Sequence, residues 1–298
     1  MFGTGKRALI TGINGFTGQY MAAELSAAGF RVFGIGSMPS EEADYYQVDL
    51  LDLDALSNAI DQIAPDVVVH LAAIAFVGHG DVNAFYNVNL LGTRNLLQAL
   101  HSSGRQFDAI LLASSANVYG NSTEGTLSEN TQVNPANDYA VSKLAMEYMA
   151  SLWVDKLPII IARPFNYTGV GQADNFLLPK IVKHFKQRAS TLELGNIDVW
   201  RDFTDVRALC RAYLGLLESK PVGETVNVCS GKVYSIRDVI NLCEKITSHT
   251  LTISVNPAFV RANEVKTLCG DATKLRSIIG AWDTPALEET LRWMLESE

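Results

Sequence analysis

Positive charge is scarce in this chain. Its 298 residues include 24 Lys and Arg against 32 Asp and Glu, for a formal net charge of −8. Nucleic-acid binding needs a basic surface, so nucleic acid is not an expected partner. An anionic ligand would have to be held by a local set of donors against that background. Long apolar runs are also missing. No run approaches the roughly 20 residues that cross a bilayer, and the opening MFGTGKRALITG leads into a strand-like segment without the apolar stretch of a signal peptide. The four cysteines, Cys210, Cys229, Cys243 and Cys269, are far apart and form no CxxC pair. That spacing suits reduced, buried thiols rather than a disulfide framework or a metal site. Together these absences lead to the expectation of a cytoplasmic protein with no membrane partner and no metal.

What is present is a large core: 48% of residues are hydrophobic and 19% charged, the balance of a globular chain. Short apolar runs read as buried parallel strands at RALIT (7–11), RVFGI (31–35), DVVVHLA (66–72), AILLAS (109–114) and PIIIAR (158–163). Stretches of helical spacing lie between them, at 18–28, 53–63, 82–101 and 139–154. This alternation predicts an α/β fold, a Rossmann-type doubly wound parallel sheet. Beyond Pro164 the pattern breaks into a loop (166–175), a helix, strands near 191–195 and 224–231, and helices near 235–247 and 285–296. The expected division is a dinucleotide-binding domain of residues 1–166 and about 198–231. A smaller, discontinuous C-terminal lobe of about 167–197 and 232–298 would take the substrate.

The segment ITGINGFTG sets Gly12, Gly15 and Gly18 directly after a strand and at the mouth of a helix. Gly12 permits a tight turn, Gly15 clears the backbone for a pyrophosphate, and Gly18 lets the helix pack closely. The helix N-terminus then offers N–H groups to the phosphates. Where an NAD-specific site has a carboxylate for the adenosine ribose, this chain has Gly36, Ser37 and Met38. With no acid to repel a 2′-phosphate, NADPH is the expected cofactor, with NADH as the alternative. Asp49 stands at the end of a third strand, as an adenine contact or a helix N-cap.

Tyr139 and Lys143 lie four apart on one helical face. An ammonium beside a phenol is expected to lower its pKa toward neutrality. Upstream, the strand LLASS ends in Ser114 and Ser115, which can offer a hydroxyl to a substrate oxygen.

The ordered set TGxxGFxG, HLAA, SSxxVYG and YxxSK resembles the extended short-chain dehydrogenase/reductases over nearly the whole chain. The resemblance implies a catalytic triad of Ser115, Tyr139 and Lys143. It implies cofactor contacts from Gly12, Asn14, Gly15, Phe16, Gly18, Ser37, Asp49, Leu50, Leu71, Ala72, Ala73 and Asn89, together with Tyr139 and Lys143. His70, in HLAA, is read as structural. ARPFNYTG, LGNIDVWRDFTDV, RANEVKTLCGD and GAWDTP resemble segments of GDP-mannose 4,6-dehydratases and their relatives. They imply that Asn166, Arg201, Arg261 and Glu264 contact a nucleotide-diphosphate sugar, expected to be GDP-linked. Two arginines can clamp a diphosphate through charge-assisted hydrogen bonds. The dehydratases carry an acid two places after the catalytic Ser or Thr, where this chain has Asn117. An amide is not a general acid or base. The pattern is therefore similar overall to reductases of GDP-4-keto-6-deoxy-D-mannose, which form GDP-D-rhamnose. A nucleotide-sugar 4-epimerase with tightly bound NAD, and a silent NAD(P)-binding regulator, are the alternatives. The family also implies a homodimer built on the helices at 82–101 and 139–154, through apolar residues including Leu90, Leu91, Leu97, Met146, Met149 and Leu152.

Overall fold

The computed structural model describes residues 2–76, 80–120, 125–256 and 266–297. The first half is strand and helix in turn: β1 (Arg7–Thr11), α1 (Phe16–Ala27), β2 (Arg31–Gly36), β3 (Tyr45–Gln47), α2 (Leu53–Ile63) and β4 (Val67–His70). A helical stretch follows in three parts, α3 (Val82–Ala84), a π segment (Phe85–Gly92) and α4 (Thr93–Ser102). The chain then forms β5 (Ala109–Ala113), a 3-10 turn (Ala116–Tyr119), β6 (Thr126–Leu127), α5 (Asp138–Ser151), β7 (Ile159–Pro164) and β8 (Asn166–Thr168). The second half runs α6 (Leu177–Lys186), β9 (Thr191–Leu194), β10 (Trp200–Asp205), α7 (Val206–Ser219), β11 (Thr225–Val228), β12 (Val233–Ser235) and α8 (Ile236–Thr247). It closes with β13 (Thr252–Val255), β14 (Thr267–Gly270), α9 (Thr273–Ile279) and α10 (Leu287–Glu296).

Seven strands form one parallel sheet in the order β11-β7-β5-β4-β1-β2-β3. Because both faces are covered, the central strands are apolar throughout: Val67, Val68, Val69, Ile110, Leu111 and Leu112 are fully buried. One face packs under α1 and α7 through Met21, Leu25, Leu209 and Leu216. The other packs under α2, α4 and α5 through Leu56, Ile60, Leu97 and Met146. The strand order reverses between β1 and β4, and a crevice opens there at the carboxyl ends of the strands, where open α/β sheets take ligands.

A smaller sheet, β12-β10-β14-β6 with β8 also on β10, stands beside that crevice. Its helices α6, α8 and α10 share an apolar core around Ile181, Phe185, Val239 and Leu291. The chain returns to the main sheet with α7 and β11, while β10, at 200–205, sits at the centre of the smaller sheet. Among the described residues no helix is long and apolar enough to cross a membrane.

Candidate active site

A cavity of about 420 Å³ lies at the crevice, and residues from both lobes line it. Gly12, Gly15, Phe16, Gly18, Leu71, Ala73, Ser115, Asn117, Tyr139, Lys143 and Asn166, all expected from the sequence, are among them.

The glycine loop fits a dinucleotide. Gly12 has φ +75°, and a Cβ there would sit 2.8 Å from the Ala72 amide nitrogen. A Cβ on Gly18 would lie 2.3 Å from the Gly12 carbonyl oxygen, so only glycine lets α1 start this close to the loop. Gly15 is the N-cap of α1; no side chain caps the helix and its first turn carries no acid. The first amides and the positive end of the helix dipole are thus left to an anion. Asn14, Ser37 and Asp49 lie outside the enclosed cavity and are exposed, whereas Leu50 is buried. Asp49 accepts a hydrogen bond from the Leu51 amide at 2.9 Å. The N-cap of α2 is Asp52 instead, which accepts from the Ala55 amide. Asn89 stands apart from the cavity. It is fully buried, bonds both backbone groups of Ile74 (2.9 and 3.1 Å), and donates to Ser142 Oγ at 3.0 Å. Its part is to hold the backbone that leads from Leu71 and Ala73 into the cavity wall.

Strand β5 stops at Ala113, and the chain turns into the 3-10 segment at once. Ser114 and Ser115 therefore diverge. Ser114 Oγ donates to the buried Glu147 carboxylate. Ser115 Oγ accepts the Asn117 amide at 3.1 Å and shares the cavity wall with the Tyr139 phenol. The same turn brings Asn117 back into the cavity wall. Tyr139 and Lys143 face this point from the start of α5, whose N-cap Asn137 accepts from the Ala140 amide at 2.9 Å. Lys143 Nζ donates to the Ala113 carbonyl at 2.8 Å.

The expectation that Lys143 lowers the Tyr139 pKa is not met in this structure. Burial pushes the phenol up to about 12, and the Ser115 side chain opposes this in part. Burial lowers Lys143 to about 8, with Glu147 acting against the fall. Both groups lose water, and the ammonium is directed at a carbonyl. His70 is structural: Nδ1 and Nε2 lie 2.6 Å from Thr11 Oγ1 and 2.8 Å from Thr93 Oγ1, and burial holds its pKa down at about 3.

Asn166 and Arg201 lie on paired strands, and the structure does not bring them to the same wall. β8 runs parallel to β10 with Asn166 opposite Phe203, and Asn166 Nδ2 donates to the Asp202 carbonyl at 3.4 Å. Arg201, two places earlier on β10, is half-buried outside the cavity wall, with its Nη1 2.9 Å from the Trp200 carbonyl. Arg261 and Glu264 lie outside the described residues. Several cavity residues went unread in the sequence, among them Ala75, Phe165, Tyr167, Gln172 and Phe176. Phe176, the N-cap of α6, also meets Phe76 edge-on at 5.9 Å, joining the two lobes beside the cavity. Its only sequence signal is an aromatic residue ahead of a helix, which a packing role explains equally well.

Residues 9–294 match the family model for GDP-mannose 4,6 dehydratase. The chain is 35% identical to GDP-6-deoxy-D-talose 4-dehydrogenase from Aggregatibacter actinomycetemcomitans, over 92% of this chain and 91% of that protein. It is 35% identical to GDP-6-deoxy-D-mannose reductase from Pseudomonas aeruginosa, over 97% of this chain and 96% of that one. Among solved structures, RMD from Pseudomonas aeruginosa complexed with NADPH superposes with TM-score 0.86 at 34% identity, covering 97% of this chain and 98% of its own. A Burkholderia cenocepacia structure with a provisional epimerase assignment superposes with TM-score 0.93 at 50% identity, covering 98% of each chain. With the glycine loop at the switch point and Ser115, Tyr139 and Lys143 in one cavity, the chain belongs to the GDP-mannose 4,6-dehydratase family of extended short-chain dehydrogenase/reductases and is a nicotinamide-dependent oxidoreductase.

Proposed function

We propose that this enzyme reduces the C4 keto group of GDP-4-keto-6-deoxy-D-mannose with NADPH, forming GDP-D-rhamnose. The observation that carries the reading is Asn117. It shares the cavity wall with Ser115 and Tyr139, at the position where the dehydratases place an acid. Its amide can donate and accept hydrogen bonds but does not exchange protons in the working pH range. Proton transfer thus rests with Tyr139, which suits a one-step reduction.

The glycine loop and the start of α1 would hold the cofactor diphosphate, and Lys143 the nicotinamide ribose. When bound, the nicotinamide supplies the hydride. Ser115 orients the sugar carbonyl and Tyr139 donates its proton to the carbonyl oxygen. A phenol held near pKa 12 is fully protonated at neutral pH, the form that donation requires. The alkoxide that develops as the hydride arrives is basic enough to take this proton. Asn166 and Arg201 would lie along the sugar and the diphosphate, with Arg261 and Glu264 completing the GDP contacts. The names of two relatives, a GDP-6-deoxy-D-mannose reductase and a GDP-6-deoxy-D-talose 4-dehydrogenase, support a GDP-linked 6-deoxy sugar with chemistry at C4.

The structural match to the provisional epimerase favours a second reading, a nucleotide-sugar 4-epimerase with retained NAD. Incubation with GDP-4-keto-6-deoxy-mannose and NADPH separates the two. The reductase consumes NADPH in proportion to product, and NMR identifies the product as GDP-rhamnose. A keto sugar has no C4 stereocentre, so the epimerase is tested with GDP-rhamnose and no added cofactor: formation of its C4 epimer without net change in NAD(P)H would establish it. We also infer that the enzyme works in the cytoplasm as a homodimer, with its nucleotide-binding domain formed by 1–166 and about 198–231, less β10.

A further inference from the structure

Behind the triad lies a buried polar network centred on Glu147, to which the roles given above assign nothing. Glu147 follows Lys143 by one turn of α5 and is 7% exposed. Its Oε1 accepts from Arg163 Nε at 2.9 Å and from Ser114 Oγ, and its Oε2 accepts from Arg163 Nη2 at 2.6 Å. Arg163 Nη1 donates to the Tyr119 hydroxyl at 3.0 Å, and that hydroxyl donates to Asn227 Oδ1 at 2.7 Å. One carboxylate thus joins the helix that carries Tyr139 and Lys143 to the strand end that carries Ser115, and to β7.

The charge inventory gives this carboxylate a second part. Lys143 and Arg163 are two buried cations, and Glu147 is the charged group that acts on both. Three other ionisable groups around them are neutral: His70 from β4, Tyr139 on α5 itself and Tyr119 from the 3-10 turn, each with its proton balance set mainly by burial. Beyond Tyr119 stands one more carboxylate, Glu129, which accepts from the Asn227 amide at 2.8 Å and acts on the Tyr119 phenol. The Tyr86–Asp138 pair, where the π segment meets α5, stands at the first turn of the helix beside Tyr139, but on its exposed side. Buried ions persist when they are paired and hydrogen-bonded, and removing one partner leaves the other uncompensated.

We propose that Glu147 is a positioning residue for catalysis: through Ser114 it fixes the turn that presents Ser115 to Tyr139, and from one turn further along α5 it is the buried counter-charge of Lys143. Only the choice of assay substrate rests on the reductase reading above. The test uses Glu147→Gln and Ser114→Ala. The first readout needs no substrate: 13C-lysine NMR follows the titration of Lys143, assigned with Lys143→Arg. In Glu147→Gln this titration should move to lower pH by at least about half a unit, and in Ser114→Ala it should stay in place. The second readout is kcat for NADPH oxidation, which should fall by roughly 10-fold or more in both variants, the scale of a small misplacement of a catalytic group. If Glu147→Gln does not fold, Glu147→Asp replaces it. That variant keeps the charge, so it should hold the Lys143 titration in place and lose kcat as Ser114→Ala does. An unmoved Lys143 titration in folded Glu147→Gln, or full kcat in Ser114→Ala, would overturn the proposal. A wild-type enzyme that does not oxidise NADPH with the keto sugar would overturn the reductase reading instead, and the NMR titration would still decide the role of Glu147.

Discussion

Ser115, at the N-cap of the 3-10 turn, and Tyr139, in the first turn of α5, line one cavity, so the two groups that would contact a substrate carbonyl stand together. Removing the phenolic hydroxyl should stop proton donation and leave the glycine loop intact. Tyr139→Phe should lower kcat by at least about 10²-fold, the usual scale for losing a general acid. NADPH binding, followed by cofactor fluorescence, should stay close to wild type. Turnover within a few-fold of wild type would take Tyr139 out of this role.

Lys143 supplies a stability prediction with a definite sign. Burial lowers its pKa from 10.5 to about 8. Between those values the unfolded chain holds a proton that the folded chain has lost, so stability contributed at this site rises with pH through the window. Below about pH 8 the buried ammonium is a constant cost. At 1.36 kcal/mol per pH unit the gap sets a ceiling of about 3 kcal/mol, which the bond to the Ala113 carbonyl already offsets in part. Lys143→Met should therefore abolish activity yet raise Tm by a few degrees at pH 7, and this gain should shrink toward pH 10. Calorimetry at both pH values checks it; a lower Tm for the variant at pH 7 would show that the charge is no burden there.

Much of this layout was legible because burial on two faces leaves a strong local mark. β4 and β5 read as unbroken apolar runs, and Gly12, Gly15 and Gly18 follow β1 with the spacing their contacts demand. The smaller sheet left no such mark. β6, β8 and β12 have two or three residues each and exist through backbone pairing with β10 or β14. β10 itself was read as part of the return to the main sheet. The helix read at 82–101 contains the π segment, where the Asn89 side chain is tied to the Ile74 backbone and Thr93 Oγ1 donates to the Asn89 carbonyl. The tie between Asn89 and Ile74, 15 residues apart, has no periodicity to betray it.

Ser37, proposed to lie by the adenosine ribose, follows β2 and is exposed, with its carbonyl held by Gln47 Nε2 at 3.2 Å. The nearby acid Asp44 is engaged by Arg31 at 2.7 Å. Ser37→Asp should set a negative charge beside the 2′-position and weaken NADPH far more than NADH, by repulsion. The ratio of the two Kd values is the measurement. Equal effects on both cofactors would place Ser37 away from the ribose.

The proposed dimer narrows to particular residues. Leu97 and Met146, expected at the interface, are fully buried in the core of their own subunit, and Met149 packs against that core. Leu91, Val141, Tyr148 and Leu152 remain exposed, at 46%, 38%, 64% and 74%. Val141, Tyr148 and Leu152 are spaced 7 and 4 apart, one face of α5. Such an apolar face is where the proposed dimer would close. Leu152→Glu should shift light scattering at micromolar concentration from dimer to monomer while leaving the thermal transition cooperative. A wild-type protein that is monomeric under those conditions would end this reading.

Asn117 decides between the two GDP-sugar chemistries the family supports. Dehydration across C5 and C6 needs a group that removes one proton and protonates a leaving hydroxyl, and the dehydratases place an acid at this position. Here the strand ends at Ala113, the backbone folds into the 3-10 turn, and Asn117 reaches the same cavity as Ser115. Its amide can orient a sugar hydroxyl and do no more. The unmutated enzyme should accordingly reduce a preformed 4-keto-6-deoxy sugar and leave GDP-mannose unchanged in the presence of NAD. Asn117→Glu restores one missing group, but dehydration also needs retained NAD, so at most a trace of keto product should form. Should the unmutated enzyme convert GDP-mannose and NAD to a 4-keto-6-deoxy product, proton transfer at C5 would have to come from another cavity residue. The chain would then be a dehydratase and not a reductase.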